Sequence, residues 1–342
     1  MKDRNRSLAK AMAFTMALVM VAAIIVILPA PVEANGNGFS GGDGSLGDPY
    51  QISTLEQLDN VRNDLTAHYI LTEPIEAEDT RDWNNEAGWT PIGNEADPFT
   101  GSFDGQNNSI MGLFSNHSSA DNIGLFGYVG VDGVVKNLGL FFTVVKGNDN
   151  VGALVGTNHG DIYRIAVEDV SFLGLGKVEG NDNVGGIVGY NNGNIHDSYS
   201  TIPVEATATA GGLVGYNHND GTINRTHSVG KVEGANAGGL VGDAVDPTAV
   251  ENSYWNTNTS GIATGIGDGL TTQEMKDQAS FSGFDFDNVW RMGDNYPRLQ
   301  EIETPGDIID ELLGFLDEIC GSVGAVVLIG GAAIFGYRRR RE

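Results

Sequence analysis

The chain has 342 residues, 49 glycines, one cysteine and a formal net charge of −26. Its length allows one large or two ordinary domains, and a single cysteine excludes an intrachain disulfide framework, a Cys-based zinc site and an iron–sulfur cluster. Glycine without a G-X-Y period excludes collagen, a 40% hydrophobic share argues against wholesale disorder, and the acidic balance argues against nucleic acid as a partner.

Charge is divided between tips and body. Lys2, Arg4, Arg6 and Lys10 lie at one end and Arg338 to Arg341 at the other, which leaves 11 of 19 basic and 43 of 45 acidic residues between them, a net of −32. An acidic body with basic tips reads as an exported domain held by ends that stay inside. Residues 1–34 form a signal peptide: a basic start, the apolar run Ala11 to Leu28, then Val32 and Ala34 at the −3 and −1 positions of a cut before Asn35. An uncleaved signal anchor is the alternative.

A Gly-rich linker is expected over 35–47, followed by an N-terminal capping region over 48–120. Within it, Ser53-Thr54-Leu55-Glu56 reads as a capping box opening a helix with Leu55, Leu58, Val61 and Leu65 on one side. Tyr69-Ile70-Leu71 reads as a strand. Gly38-Phe39-Ser40-Gly41-Gly42 matches G-x-S-x-G on paper, but it lacks the strand–turn–helix context of a nucleophile elbow.

Residues 121–260 repeat themselves. Gly124-Leu125-Phe126-Gly127, Gly152-Ala153-Leu154-Val155-Gly156, Gly185-Gly186-Ile187-Val188-Gly189, Gly211-Gly212-Leu213-Val214-Gly215 and Gly238-Gly239-Leu240-Val241-Gly242 follow at steps of 29, 33, 26 and 27 residues. Asn158, Asn191 and Asn217 stand two residues beyond their closing glycines. Next come the aliphatics Ile162, Ile195, Ile223 and Val250, then Ala166, Tyr199, His227 and Tyr254 at matching offsets. Short β-like runs at this period predict one coil of a β-solenoid per repeat, because stacking alone buries the apolar face that a single repeat exposes. Leu125, Leu154, Ile187, Leu213 and Leu240 then form a column, and the three Asn an amide ladder about 4.8 Å apart. A β-propeller, the competing architecture, needs about 40–45 residues per blade, which these steps miss.

A C-terminal cap is expected over 261–303: Thr271-Thr272-Gln273-Glu274 begins a short helix, and Val289-Trp290 with Tyr296 to Leu299 supplies aromatics to close the last coil. An amphipathic stalk over 304–318 carries Ile308, Ile309, Leu312, Leu313 and Leu316 at helical spacing. A transmembrane helix over 319–337 and a basic cytoplasmic tail over 338–342 end the chain. The expected location is therefore the cell membrane, single-pass, with an extracellular ectodomain.

The Gly-Gly-Leu/Ile-Val-Gly cores, with the flanks Asp48 to Ile52, Pro91-Ile92-Gly93, Phe99 to Gly105, Ser253 to Thr257 and Trp290 to Leu299, resemble the GLUG-motif repeats of prokaryotic surface proteins, over about residues 45–300. The resemblance implies an all-β fold, a parallel β-helix-like solenoid with short capping helices, and a secreted or surface-attached, adhesin-like protein. It carries over no catalytic residue and no cofactor.

Chemistry is sparse. Asp149 and Asp182 repeat one coil apart in Gly-Asn-Asp-Asn turns and are candidate Ca²⁺ ligands, since stacked like charges repel unless neutralised; solvated turn aspartates are the alternative. Glu76, Glu78, Asp79 and Asp82 form an acidic cluster that also reads as a solvated loop. The six histidines show no ligand spacing, and His227 reads as a stacked partner of Tyr199 and Tyr254. Asn107, Asn116, Asn224 and Asn258 begin N-glycosylation sequons. The expected role is adhesion or envelope structure, without enzymatic activity, with an extracellular glycan or surface protein as partner through columns such as Tyr190 and Tyr216. The C-terminal helix provides the membrane contact. The alternative is an extracellular carbohydrate-active enzyme, a lyase or glycosidase, which would need clustered carboxylates with Arg or Lys on one face.

Overall fold

A computed structural model describes residues 38–169, 176–304 and 307. The signal peptide, the stalk beyond Asp307, the transmembrane helix and the basic tail lie outside the described residues, among which no helix is long and apolar enough to cross a membrane.

The described chain is mostly β, and four of its sheets are parallel. Each repeat gives one strand to each sheet before the chain returns one level higher. One complete repeat runs through Val155–Asn158, the long strand Asp161–Glu168, then Lys177–Gly180 and Asp182–Gly185. The next runs through Val188–Asn191, Asn194–Ser200, Val204–Ala206 and Thr209–Gly211, and each of these strands pairs in register with its equivalent below. Equivalent residues therefore sit opposite each other: Ile162 by Ile195 and Ile195 by Ile223, Tyr190 by Tyr216, Glu179 by Glu205 and Glu205 by Glu233.

The expected columns are present. Leu125, Leu154, Ile187, Leu213 and Leu240 are fully buried in one continuous core with Val155, Val188 and Val214. At one corner Asn158 Nδ2 donates to Asn191 Oδ1 at 2.8 Å, and Asn191 Nδ2 donates to Asn217 Oδ1 at 2.7 Å. All three asparagines are sealed from solvent. Each also closes its own turn; for example, Gly160 N–H donates to Asn158 Oδ1 and Gly193 N–H to Asn191 Oδ1. The repeated glycines serve close approach: a Cβ on Gly185, Gly211 or Gly238 would drive into the carbonyl oxygen of Val188, Val214 or Val241, and none of the three has a left-handed φ. Left-handed residues stand elsewhere, at Asn137, Arg164, Asp197, Arg225 and Asn252, one per repeat, where each kinks its long strand.

Three expectations for the flanks change in detail. The capping box is shifted by one residue: Thr54 is the N-cap of the helix Leu55–Asp59 and accepts from Gln57 N–H, while Gln57 Oε1 accepts from Ser53 N–H at 2.8 Å. Gln57 has the amide that reaches back, and Glu56 points elsewhere. The stretch assigned to a linker over 35–47 is packed from Gly38 onward, because Phe39 is buried and stacks on Tyr50 at 4.5 Å. Thr271 and Glu274 bond to each other reciprocally, and two 3₁₀ turns, Glu274–Lys276 and Gln278–Ser280, follow in place of the expected short helix.

The C-terminal segment does more than close the last coil. It runs back along the outside of the long-strand sheet as a strap, and a second apolar cluster joins its Met275, Phe281, Phe284, Trp290, Leu299 and Ile302 to the outward-facing Phe141, Ala166, Tyr199 and Tyr254. His227 lies in this layer with no exposed surface, stacked on Tyr199 at 4.9 Å, and its Nε2 donates to Pro297 O at 2.8 Å. Beside it, Glu168 Oε1 accepts from the Tyr199 hydroxyl at 2.7 Å and lies 3.5 Å from Arg298 Nε. Arg298 also pairs with Asp307 at 2.7 Å. Burial raises the Glu168 carboxyl above its ordinary range, against the pull of Arg298 and Tyr199.

Two outcomes follow from this packing. Asn191→Ala removes both rungs of the amide ladder and leaves buried groups on Asn158, Asn217 and Gly193 without partners; it is expected to cost roughly 3 kcal/mol in urea unfolding. Burial pushes the His227 imidazole from 6.5 down to about 3, so between those values the unfolded chain binds a proton that the folded chain refuses. Its contribution to stability is complete above pH 6.5 and is lost as pH falls toward 3, by up to about 1.4 kcal/mol per unit. The difference in unfolding free energy between wild type and His227→Phe, followed from pH 7 to 4, is expected to shift in that direction and isolates this residue from the opposing Glu168.

Candidate functional site

In the sheet that carries the Asn ladder, Phe126, Val155, Val188 and Val214 are fully buried, whereas Tyr128, Tyr190 and Tyr216, each two residues further along its strand, are partly exposed and share one row with the buried Thr157. Thr157 would interrupt an aromatic surface, but the gap is filled from the next corner. His159, one residue past its ladder Asn, stacks on Tyr128 at 5.2 Å with 13° between the planes and lies 6.5 Å from Tyr190. Tyr190 stacks on Tyr216 at 5.5 Å and on His218 at 5.7 Å. All five rings are half-buried, with edges open to solvent. Over four levels the row is about 14 Å long.

Asn192 fixes the two imidazoles. Its Nδ2 donates to His159 Nδ1 at 3.2 Å and its Oδ1 accepts from His218 Nδ1 at 2.9 Å, so His159 carries its proton on Nε2 and His218 on Nδ1. Burial, and then the neighbouring His218, hold the His159 pKa below its ordinary value. The row is thus aromatic and amide-edged on an acidic body. Such a surface stacks against apolar faces and hydrogen-bonds hydroxyls. Burial raises the Tyr128 and Tyr190 phenols, which keeps both as O–H donors.

Tyr190 and Tyr216 thus stand where the sequence suggested. Tyr128, His159, Asn192 and His218 complete the row. Their signal was the constant offset of one residue beyond the ladder position, which His159, Asn192 and His218 share.

Asp149 and Asp182 do lie in register. Their oxygens are met by donors from the next level: Asn181 Nδ2 donates to Asp149 Oδ1 at 2.9 Å, and Thr209 N–H donates to Asp182 Oδ1 at 3.1 Å. Asp121 does the same one level lower, accepting from Asn148 Nδ2 and Asp149 N–H. The neighbouring residues, Asn122, Asn150 and Asn183, form a second amide ladder, all with left-handed backbone. Asn150 Nδ2 donates to Asn122 Oδ1 at 3.1 Å and Asn183 Nδ2 to Asn150 Oδ1 at 2.9 Å. Asp149 and Asp182 thus each have one carboxylate oxygen held by a peptide or amide N–H.

Among the described residues no group of three or more His, Cys, Asp or Glu is placed to hold a metal ion. Glu76 ends a short strand, and Glu78, Asp79 and Asp82 lie on a 3₁₀ turn. Ser40 of the G-x-S-x-G match bonds to Ser53 and Gln57, which pins the N-terminal packing. Of the sequon residues, Asn107, Asn116 and Asn258 are exposed. Asn224 is half-buried within a long strand, where its Oδ1 accepts from Asn252.

Residues 180–204 match the Glug family, described as the GLUG motif. That stretch is one full turn, from the end of Lys177–Gly180 to the start of Val204–Ala206 directly above it. One turn of the array thus matches the GLUG motif. Among curated relatives, a protein of Evansella cellulosilytica named as a Gly-rich membrane protein is 40% identical over 40% of this chain and 16% of its own length. Halomucin of Haloquadratum walsbyi is 38% identical over 36% of this chain. The match spans 1% of halomucin, so this chain's GLUG array corresponds to a small part of either relative. Among solved structures, an IgA1 protease chain aligns over 64% of this chain and 21% of its own at 14% identity, with a TM-score of 0.37.

The geometry of the aspartate turns gives an expected result. Thermal unfolding of the purified protein should have the same midpoint in millimolar Ca²⁺ as in chelator. A calcium-dependent rise that Asp149→Asn with Asp182→Asn abolishes would instead assign an ion to that pair.

Proposed function

We propose that this protein is a membrane-tethered, cell-surface β-solenoid whose GLUG array acts in adhesion by binding an extracellular glycan along the Tyr128–His159–Tyr190–Tyr216–His218 row. The observation that carries the reading is that row: five rings in partial stack, open at their edges, bounded by the amide of Asn192. Aromatic faces receive the C–H faces of sugars, and amide, imidazole and phenol groups receive their hydroxyls. In-register stacking repeats the contact from level to level, so an oligosaccharide engages several weak sites at once and gains by effective concentration.

The surface setting draws on the sequence, with its exported acidic body, apolar segments at both ends and arginine tail, and on relatives named as a membrane protein and a halomucin. The reading is of a binding protein, not an enzyme. The row holds no nucleophile paired with a base, and its groups are matched to holding a ligand. The same array would be a purely structural envelope component if the row has no ligand.

Glycan-array binding by the purified ectodomain, compared with Tyr190→Ala/Tyr216→Ala, tests the proposal. Stacked rings are each worth about 0.5–1.5 kcal/mol, so the double variant should weaken binding by about tenfold or more. Its folding should be nearly intact, since both side chains are half-exposed. Absence of any saturable glycan, or equal binding by the variant, would overturn the reading.

A further inference from the structure

The kinks of the long strands form a column of their own, and its charges do not balance. In successive levels the left-handed position holds Asn137, Arg164, Asp197, Arg225 and Asn252. Arg225 reaches back to Asp197 as a fork, with Nε to Oδ1 at 2.7 Å and Nη2 to Oδ2 at 2.8 Å. Asp197 also accepts from His196 Nδ1 at 2.8 Å and from Trp290 Nε1 at 3.4 Å. Its carboxylate is held well below the usual range despite burial, chiefly by Arg225 and then His196. Arg164 lies on the other side of Asp197 and finds no oxygen left. Among the described residues it makes no hydrogen bond or ion pair, although the body around it is strongly acidic.

Arg164 instead lines a groove of about 90 Å³ where the strap meets the kink column. Asn107 and Asn137 share its wall, and Asn288, Val289, Leu299, Gln300 and Ile302 form the opposite one, with Glu301 also lining it. The hydrogen bonds already made leave a specific set of vacancies. Asn137 Nδ2 is used on Asp104, and its Oδ1 is sealed from solvent. Gln300 Nε2 is used on Phe286 O and Trp290 O, and Asn288 Nδ2 on Asp285, which leaves their amide oxygens as open acceptors. One guanidinium and two residues with open amide acceptors thus line one small space.

We propose that this groove is a binding site for an acidic sugar, its carboxylate paired with Arg164 and its hydroxyls donated to Asn288 and Gln300. A guanidinium fork matches a carboxylate, and amide oxygens need O–H or N–H donors. A uronate-type residue supplies both groups within one ring. An acidic peptide side chain supplies the carboxylate without the hydroxyls. Repulsion from the acidic body is largely screened beyond about 10 Å at 0.1 M salt, which leaves the local pair to decide. The groove is formed by other residues than the aromatic row and stands or falls separately from it.

Isothermal titration of the full-length protein with a glucuronate-containing disaccharide, the matching neutral glucose disaccharide and triglutamate tests the assignment. Arg164→Asn is the informative variant, because Asn accepts the left-handed backbone at that position and removes only the guanidinium. The expected result is saturable uronate binding that weakens by about tenfold or more in Arg164→Asn, with Arg164→Lys intermediate and Tyr190→Ala/Tyr216→Ala unchanged. The neutral disaccharide and triglutamate should bind at least severalfold more weakly than the uronate. No saturable uronate binding, equal binding by Arg164→Asn with an unaltered circular dichroism spectrum, or triglutamate binding as well as the uronate would each overturn it.

Discussion

Because every strand hydrogen-bonds in register to its equivalent one repeat away, each residue meets its own kind about 4.8 Å above and below. That constraint decides which residues the repeats can tolerate. An aliphatic column gains from it, since Leu154, Ile187 and Leu213 extend one dry core. An asparagine column gains more specifically, because an amide is both donor and acceptor and can pair with an identical copy of itself indefinitely. Asn158, Asn191 and Asn217 do so at one corner and Asn122, Asn150 and Asn183 at another. A carboxylate cannot pair with itself. The stacked aspartates are accordingly supplied with N–H donors from the next level, and the glutamates of a neighbouring sheet with lysines: Glu179 takes Lys146 and Lys177, and Glu233 takes Lys231.

The same rule produces the outer surfaces. Rows of equivalent side chains are presented with fixed spacing, and their chemistry is set by which residue occupies the column. Where the column is tyrosine and the adjacent corner is histidine, the result is a ring-lined strip. Where it is a kink that alternates Arg and Asp, charge pairs form along the column and one arginine is left over. A repeat protein of this kind gains function less from any single residue than from breaks in its own periodicity.

The strap is the main such break. It packs on the outer face of the long strands at Phe141, Ala166, Tyr199 and Tyr254 and contributes residues with no counterpart in the repeat: Trp290, Tyr296, Arg298 and Asp307. Under it lie Glu168, Tyr199 and His227, each displaced by burial in the direction that favours its neutral form. The last described residue, Asp307, is tied to Arg298 and Arg291, so the chain leaves toward its C-terminus from a point fixed to the side of the array.

The sequence by itself determined the repeat, its parallel stacking, the Leu and Asn columns and the places of Tyr190 and Tyr216, because each is a periodic property and a period of 26 to 33 residues is written in the residues themselves. It also marked the aspartate turns, though not the second amide ladder within them. Asp149 and Asp182 stood out as charges, whereas Asn150 and Asn183 make the ladder, and only the backbone turn decides which side chain points along the stack. Tertiary structure alone decided what the strap does. The bonds from His227 to Pro297 and from Glu168 to Tyr296 join residues 70 and 128 positions apart with no repeat between them. Whether His227 is buried depends on that non-periodic contact, which no spacing in the sequence encodes.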